Sequence, residues 1–217
     1  MTWSTDLIIF DFDGVLADTG PDIVNAANYV LQQLNLPQLP PETIMSFIGG
    51  GAEPLIRLCL GQRAGELFDE ALALFKKRYN DYPCVDTVAY PGVVDVLEHY
   101  RAAGKIMTIA TNKTEAATRK ILAGLNLADY FQVIVGPDSV THRKPHPEAL
   151  NRIIAQVGAL PARTVMIGDT GADILAGQAA GTVTAGVTYG YGSAAEVEQA
   201  RPDFIIGRIT ELKNHIQ

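Results

Sequence analysis

The chain of 217 residues carries 24 acidic against 17 basic side chains, a formal net charge of −7. That surplus repels polyanions and sets nucleic acid and anionic membrane surfaces aside as partners, although a local basic pocket can still hold one small anion. With 47% apolar and 19% charged residues, the expectation is a soluble globular protein, one packed domain or a domain with a smaller insert. Cys59 and Cys84 form no C-x-x-C pair and are expected as free thiols in a reducing compartment. No basic segment precedes the short apolar run Leu7–Phe10, and no stretch approaches the roughly 20 apolar residues of a membrane span. A cytoplasmic protein, monomeric or homodimeric, is expected.

In chain order, Leu7–Phe12 reads as the first strand. From about Thr19 to Ala89 no strand follows. Helical periodicity there is broken by Pro37, Pro40, Pro41 and the triple glycine Gly49–Gly51. Thr19-Gly20-Pro21-Asp22 reads as a capping box with proline in the first turn, so a helix is expected to start there. Beyond Gly92 the pattern predicts helix Val93–Ala103, strand Ile106–Ala110, helix Thr114–Ala123, strand Val133–Val135 and helix Pro147–Val157. Strand Thr164–Ile167, helix Ala172–Ala180, strand Val183–Gly186, helix Ala194–Gln199 and strand Phe204–Ile206 complete it. Gly104, Gly158, Gly181 and Gly192 fall near segment ends, where glycine can take the left-handed cap conformation. Such alternation predicts an α/β fold, a three-layer Rossmann-like domain around a central parallel sheet. The helical stretch is expected to be a small inserted α-helical cap, residues 18–88, on a core formed by residues 1–17 and 89–217. Flexible joints are expected near Ala17–Gly20 and Val88–Gly92.

Four short motifs each follow a predicted strand. In Asp11-Phe12-Asp13-Gly14-Val15, strand alternation points positions 11 and 13 to one side and Phe12 to the core. The carboxyl end of a strand is where open α/β sheets bind ligands. One carboxylate can attack while the other manages protons, and Gly14 permits a sharp exit; acidic turn residues after a strand explain the same pattern without chemistry. Thr111-Asn112-Lys113 offers a hydroxyl, an amide and backbone N–H groups before a helix, which makes a phosphate cradle or a plain N-cap. Lys144 sits in His142-Arg143-Lys144-Pro145-His146-Pro147, where prolines stiffen the segment. A fixed ammonium there can neutralise a phosphoryl group and a carboxylate together; a solvated loop lysine is the plain alternative, and His146 reads as structural. Gly168-Asp169-Thr170-Gly171-Ala172-Asp173 places two carboxylates a helical turn apart, hard oxygen donors that suit magnesium. Acidic residues also favour a helix N-terminus through its dipole.

In this order the motifs resemble those of the haloacid dehalogenase superfamily: D-x-D-G, then Thr or Ser, then Lys, then G-D-x-x-x-D. The resemblance covers nearly the whole chain, because the helical stretch stands where that superfamily carries its first-position cap. It implies a Mg2+-dependent phosphatase in which Asp11 attacks phosphorus and becomes transiently phosphorylated. By the same resemblance Asp13 serves as acid and then base. The metal is held by Asp11, the Asp13 carbonyl and Asp169, with Asp173 orienting them. Thr111 and the Asn112 backbone grip phosphoryl oxygens, and Lys144 balances charge. The dehalogenase branch typically lacks the second aspartate that is present here as Asp13. The phosphonate-cleaving branch has an early cap lysine, whereas the only lysines in this stretch are Lys76 and Lys77.

Within the superfamily, Phe47-Ile48-Gly49-Gly50-Gly51-Ala52, Tyr90-Pro91-Gly92-Val93 and Thr111-Asn112-Lys113 resemble the phosphoglycolate phosphatases. One departure stands out: Gly50 replaces the asparagine of that group's G-N-G. Gly49 and Gly50 are expected as a backbone loop that reaches the substrate, or as a tight turn between cap helices. The expected substrate is a small phosphorylated metabolite, with 2-phosphoglycolate first. A sugar-phosphate mutase of the same superfamily is the alternative, and it would need cap groups for a sugar bisphosphate that the sequence does not reveal. A signalling receiver domain is the more distant one; its acidic pair is usually contiguous, and it lacks a helical insert.

Overall fold

The computed structural model describes residues 2–217. Strand β1 (Leu7–Phe10) is followed by a short strand β2 (Ala17–Asp18) and four helices: α1 (Gly20–Gln33), α2 (Pro41–Met45), α3 (Ala52–Leu60) and α4 (Ala64–Asp81). After strand β3 (Val88–Ala89) come α5 (Val93–Ala102), β4 (Ile106–Ala110), α6 (Glu115–Gly124), β5 (Val133–Val135) and α7 (Glu148–Val157). The chain ends with β6 (Thr164–Gly168), α8 (Gly171–Ala179), β7 (Val183–Val187), α9 (Ala194–Gln199) and β8 (Phe204–Ile206). Among the described residues no helix is long and apolar enough to cross a membrane.

Six strands form one parallel sheet in the order β5-β4-β1-β6-β7-β8. Both faces of it are buried, as parallel sheets require. Alternation along β1 sends Ile8 and Phe10 to a core shared with α5, α6 and the four-helix block. Leu7 and Ile9 face the opposite core, built with α7 and α8. From β1 the chain moves outward through β4 and β5, then crosses back to β6 on the other side of β1. The carboxyl ends of β4, β1 and β6 therefore flank the point where strand order reverses, the usual crevice for a ligand in such sheets.

Strand β1 is shorter than the sequence suggests. Its ladder stops at Phe10, and the Asp11 N–H adds one last bond to the Ile167 carbonyl at 2.8 Å. The carbonyl of Phe12 then accepts from Val15, Leu16 and Ala17 at 3.0–3.4 Å, turning the chain sharply. Gly14 has φ +78°, and a Cβ on it would lie 2.2 Å from Asp169 Oδ2. Only glycine fits both the backbone conformation and the approach.

Helix α1 starts where expected, but not by the expected cap. Thr19 makes no capping hydrogen bond; its hydroxyl donates to Asp13 Oδ1 at 2.5 Å. Asp22 is buried and accepts instead from the backbone N–H groups of Val85, Asp86 and Thr87 at 2.9–3.1 Å and from the Thr87 hydroxyl at 2.6 Å. Spacing alone cannot distinguish a local cap from an acceptor for chain more than sixty residues away. Beside this clasp β2 and β3 pair antiparallel, Ala17 with Ala89 and Asp18 with Val88, so the chain enters and leaves the helical block side by side. Gly104, Gly158 and Gly181 take the left-handed conformation; Gly192 does not, and its N–H donates to Asp169 at 3.2 Å.

Replacing Asp22 by alanine strands three backbone donors and a hydroxyl. Unfolding in urea should show a loss of about 2–4 kcal/mol, since each buried unpaired group costs about 1–3 kcal/mol. A loss below about 0.5 kcal/mol would mean that water replaces the carboxylate and that the clasp is not structural.

Candidate active site

Each predicted motif lands at the same sheet edge. Asp11 follows β1, Thr111 follows β4, Asp169 follows β6, and Lys144 reaches in from the segment between β5 and α7. Lys144 is the centre of this cluster. Its ammonium donates to the Ala110 carbonyl at 2.7 Å and to Asp173 Oδ1 at 2.6 Å, and lies 3.0 Å from Asp11 Oδ1. Its three N–H directions are thereby used. Burial would lower its pKa, but Asp11 and Asp173 more than offset this and hold it above the ordinary lysine value.

Carboxylate oxygens of Asp11, Asp169 and Asp173 lie within 4.8 Å of one another, all buried. Burial pushes the Asp11 carboxyl well above the usual range; Lys144 opposes the shift, and Asp173, Asp169 and Asp13 add to it. Asp169 is pushed up to about 7 by burial and by Asp173, against the N–H groups of Tyr191 and Gly192 that donate to Oδ2 at 2.7 and 3.2 Å. Asp173 forms the true capping box of this protein. Its Oδ2 accepts from the Thr170 N–H at 3.0 Å and hydroxyl at 2.7 Å, which leaves Oδ1 for Lys144. Three buried acids against one lysine leave a deficit of positive charge. Clustered hard oxygens suit a divalent cation such as magnesium, so the residues present fit the expected ion.

Asp13 belongs to a second network. Its Oδ1 takes the Thr19 hydroxyl and lies 3.1 Å from the ammonium of Lys113, which also donates to the Tyr79 hydroxyl of α4 at 3.0 Å. Burial would lower the Lys113 pKa, yet Asp13 and Tyr79 hold it above the ordinary value. Burial raises the Tyr79 phenol to about 12. Asp11, Asp13, Thr111 and Lys113 line a cavity of about 250 Å³ whose opposite wall is Gly49, Phe75 and Tyr79 from the helical block.

Other residues sit differently from their sequence reading. The side chain of Asn112 ties segments together: Nδ2 donates to Gly49 O at 2.9 Å and Oδ1 accepts from Lys144 N at 3.2 Å. Gly49 borders the cavity, whereas Gly50 lies outside its lining, against Pro54. Gly51 has φ +89°, and a Cβ there would come within 2.8 Å of Asn112 O, so glycine lets the block sit down on the core. Arg143 pairs with Glu53 of α3 at 3.2 Å, a further tie across the cavity mouth. A second cluster combines the exposed His142 and His146 with the half-buried Glu148, which accepts the Thr141 and His142 N–H groups at 2.8 and 3.0 Å. Sequence reasoning gave no role to Lys113, Tyr79 or Tyr191. Lys113 was in view inside its motif, and Gly190-Tyr191-Gly192 follows β7 at the same sheet edge. Tyr79 carries no local signal. The Tyr191 hydroxyl also meets Asp18 and the Gly20 N–H, at 2.6 and 2.5 Å.

A model of haloacid dehalogenase-like hydrolases matches residues 8–187 of the chain. The chain belongs to that family. Among curated members, the phosphoglycolate phosphatase of Neisseria meningitidis is 35% identical over 218 residues, 97% of this chain and 93% of that one. The phosphoglycolate phosphatase of Aquifex aeolicus is 36% identical over 214 residues, 97% of this chain and 98% of that one. The crystal structure of a predicted phosphoglycolate phosphatase from Haemophilus somnus superposes with a TM-score of 0.91 at 29% identity, covering 97% of both chains. As a haloacid dehalogenase-like hydrolase the chain is an enzyme of the phosphatase type.

The buried acids set a pH dependence in metal-free protein. Between pH 3.8, the ordinary Asp value, and about 7 the unfolded chain releases the Asp169 proton while the folded protein keeps it. Rising pH through this window therefore destabilises the fold, by linkage. With chelator present, thermal unfolding should fall in temperature from pH 5 to 8, and Asp169→Asn should be the more stable protein at pH 8 by about 1–3 kcal/mol. Parallel curves for the two proteins would remove Asp169 as the source.

Proposed function

We propose that this protein hydrolyses a small phosphomonoester, 2-phosphoglycolate first among candidates, through an aspartyl-phosphate on Asp11. In this reading the helical block, residues 18–88, acts as a cap on the core formed by residues 1–17 and 89–217. The observation that carries the proposal is the division of labour between the two aspartates of one turn. Asp11 lies in the buried acid cluster on Lys144, while Asp13 faces the cavity through a separate network.

An Asp11 carboxylate oxygen attacks phosphorus as the P–O bond to the alcohol breaks, and Asp13 gives its proton to the departing oxygen. Asp13 then takes a proton from water, whose oxygen attacks the acyl phosphate; inorganic phosphate leaves and Asp11 is restored. The Thr111 hydroxyl and the Asn112 backbone amide hold phosphoryl oxygens, and Lys144 balances charge on Asp11 and phosphate. Asp11 and Asp169, with the Asp13 carbonyl, would hold Mg2+, and Asp173 would orient them. The ion's charge would shield the attacking carboxylate from the dianionic substrate. The narrow cavity and the −7 net charge favour a small metabolite over a nucleic acid or phosphoprotein. The names of the Neisseria and Aquifex relatives supply 2-phosphoglycolate as the first compound to try.

A panel of phosphomonoesters assayed with Mg2+ tests the reading, with kcat/KM highest for small phosphorylated acids. Preference for a phosphopeptide or a nucleic acid end would overturn it. Asp11→Asn should keep its circular dichroism and lose at least about a thousandfold in kcat; turnover near the parent's would place the nucleophile elsewhere. With Asp13→Asn, p-nitrophenyl phosphate should give a burst of nitrophenolate followed by slow phosphate release, turnover falling about a hundred- to ten-thousandfold. If aliphatic and nitrophenyl esters lost rate equally in the burst phase, Asp13 would not be the acid.

A further inference from the structure

The two buried lysines of the site are unequally satisfied. Lys144 meets two carboxylates and a carbonyl. Lys113, with a side chain only 8% exposed, meets one carboxylate, Asp13, and one phenol, Tyr79. Among the described residues these are its only polar side-chain partners, so the third ammonium hydrogen is unassigned while the residue lines the cavity. A desolvated ammonium gains most from further anionic contact.

Position then suggests the anion. If Asp13 protonates the leaving oxygen, that oxygen sits within hydrogen-bond reach of its carboxylate. Lys113 Nζ is 3.1 Å from Asp13 Oδ1 and lines the same cavity, so it stands within reach of a group attached to the leaving oxygen. A group two bonds past the leaving oxygen reaches it. In an ester of the form phosphate–O–CH2–COO− that group is the carboxylate. A longer or uncharged substituent would instead meet the apolar wall of Ile23, Leu55 and Phe75. The other cations at the cavity are less suited: Arg143 is engaged by Glu53, and Lys76 is exposed.

We propose that Lys113 and Tyr79 form a carboxylate-binding subsite that selects substrates with an anionic group two bonds beyond the scissile P–O linkage. This rests on the preceding assignment of Asp11 and Asp13. The subsite is composite. Lys113 comes from the core loop after β4 and Tyr79 from α4, so it is complete only with the helical block seated. Lys113 is thereby a specificity residue, and its neighbourhood to Asp13 makes a purely positioning role the competing explanation.

Two substrates of equal length separate these roles: 2-phosphoglycolate and 2-hydroxyethyl phosphate, which lacks the carboxylate. The parent protein should favour the first in kcat/KM by about ten- to hundredfold, the range for hydrogen bonds to a charged group. Lys113→Met should bring the ratio near one, and Tyr79→Phe should lower it partly while sparing the ammonium. An equal loss on both esters, leaving the parent's ratio, overturns the subsite and leaves Lys113 acting only on Asp13. Direct binding supplies an independent measurement. Titration of 2-phosphoglycolate into Asp11→Asn protein by calorimetry should show tight binding that weakens on adding Lys113→Met, or Tyr79→Phe where the methionine variant does not fold. Unchanged affinity, or no binding at all, would likewise overturn the subsite. If neither ester is turned over by the parent while Lys113-dependent binding of 2-phosphoglycolate persists, the substrate reading of the preceding section fails and carboxylate binding by Lys113 and Tyr79 stands.

Discussion

The constraint on which the site depends is electrostatic. Asp11, Asp169 and Asp173 are forced together out of water, and among the described residues one ammonium, from Lys144, pairs with two of them, Asp11 and Asp173. Buried like charges repel strongly, and each loses its hydration. The fold meets this cost with rigid donors. Lys144 is fixed by the Ala110 carbonyl, Asp173 by the start of α8, and Asp169 by the N–H groups of the loop after β7. What remains is a cluster still short of positive charge, a setting that suits a hard cation. A core repacked for stability alone would not look like this.

Around that cluster, proximity in sequence has been converted into difference in environment. Asp11 and Asp13 are two residues apart, yet a sharp turn at Gly14 gives them separate lysines. One lysine is anchored wholly within the core; the other touches the helical block. One short segment thus holds two carboxylates in unlike surroundings, because the strand ends and the chain bends at that point.

The sheet and its helices were largely legible in the sequence, since short continuous apolar runs follow from burial of a parallel sheet on both faces, and amphipathic spacing from burial of one helix face. Ile106–Ala110, Val133–Val135 and Phe204–Ile206 coincide with the observed strands. The strand at Asp11 did not, because its pairing is ended by a turn whose cause, the approach of Asp169 to Gly14, lies in residues far apart in the chain. Asp11, Thr111 and Asp169 come together because each stands directly after a strand and topology gathers strand ends, while Asp173 lies in the first turn of α8 and Lys144 on the long segment after β5. Tyr79 and the true partners of Asp22 escaped for the opposite reason. They act across the gap between block and core, and no local period encodes such contacts. The resemblance implies a backbone role for Asn112; its side chain links Gly49 to Lys144.

The antiparallel pairing of Ala17 with Ala89 has a meaning for how such a chain can be remodelled. Adjacent strands lie about 5 Å apart, so the two ends left by removing the helical block are already within reach of a tight turn. Splicing at this point would keep all six strands of the parallel sheet and the Asp11, Asp169 and Asp173 cluster at its edge. The core's ties to the block would go with it: the Thr19 hydroxyl on Asp13, Asp18 and the Gly20 N–H on Tyr191, the contacts of Asn112, Lys113 and Arg143, and the apolar core that both share. The ribbon is thus a graft point, where a different helical block could be joined to the same sheet edge at two chain ends that already lie side by side.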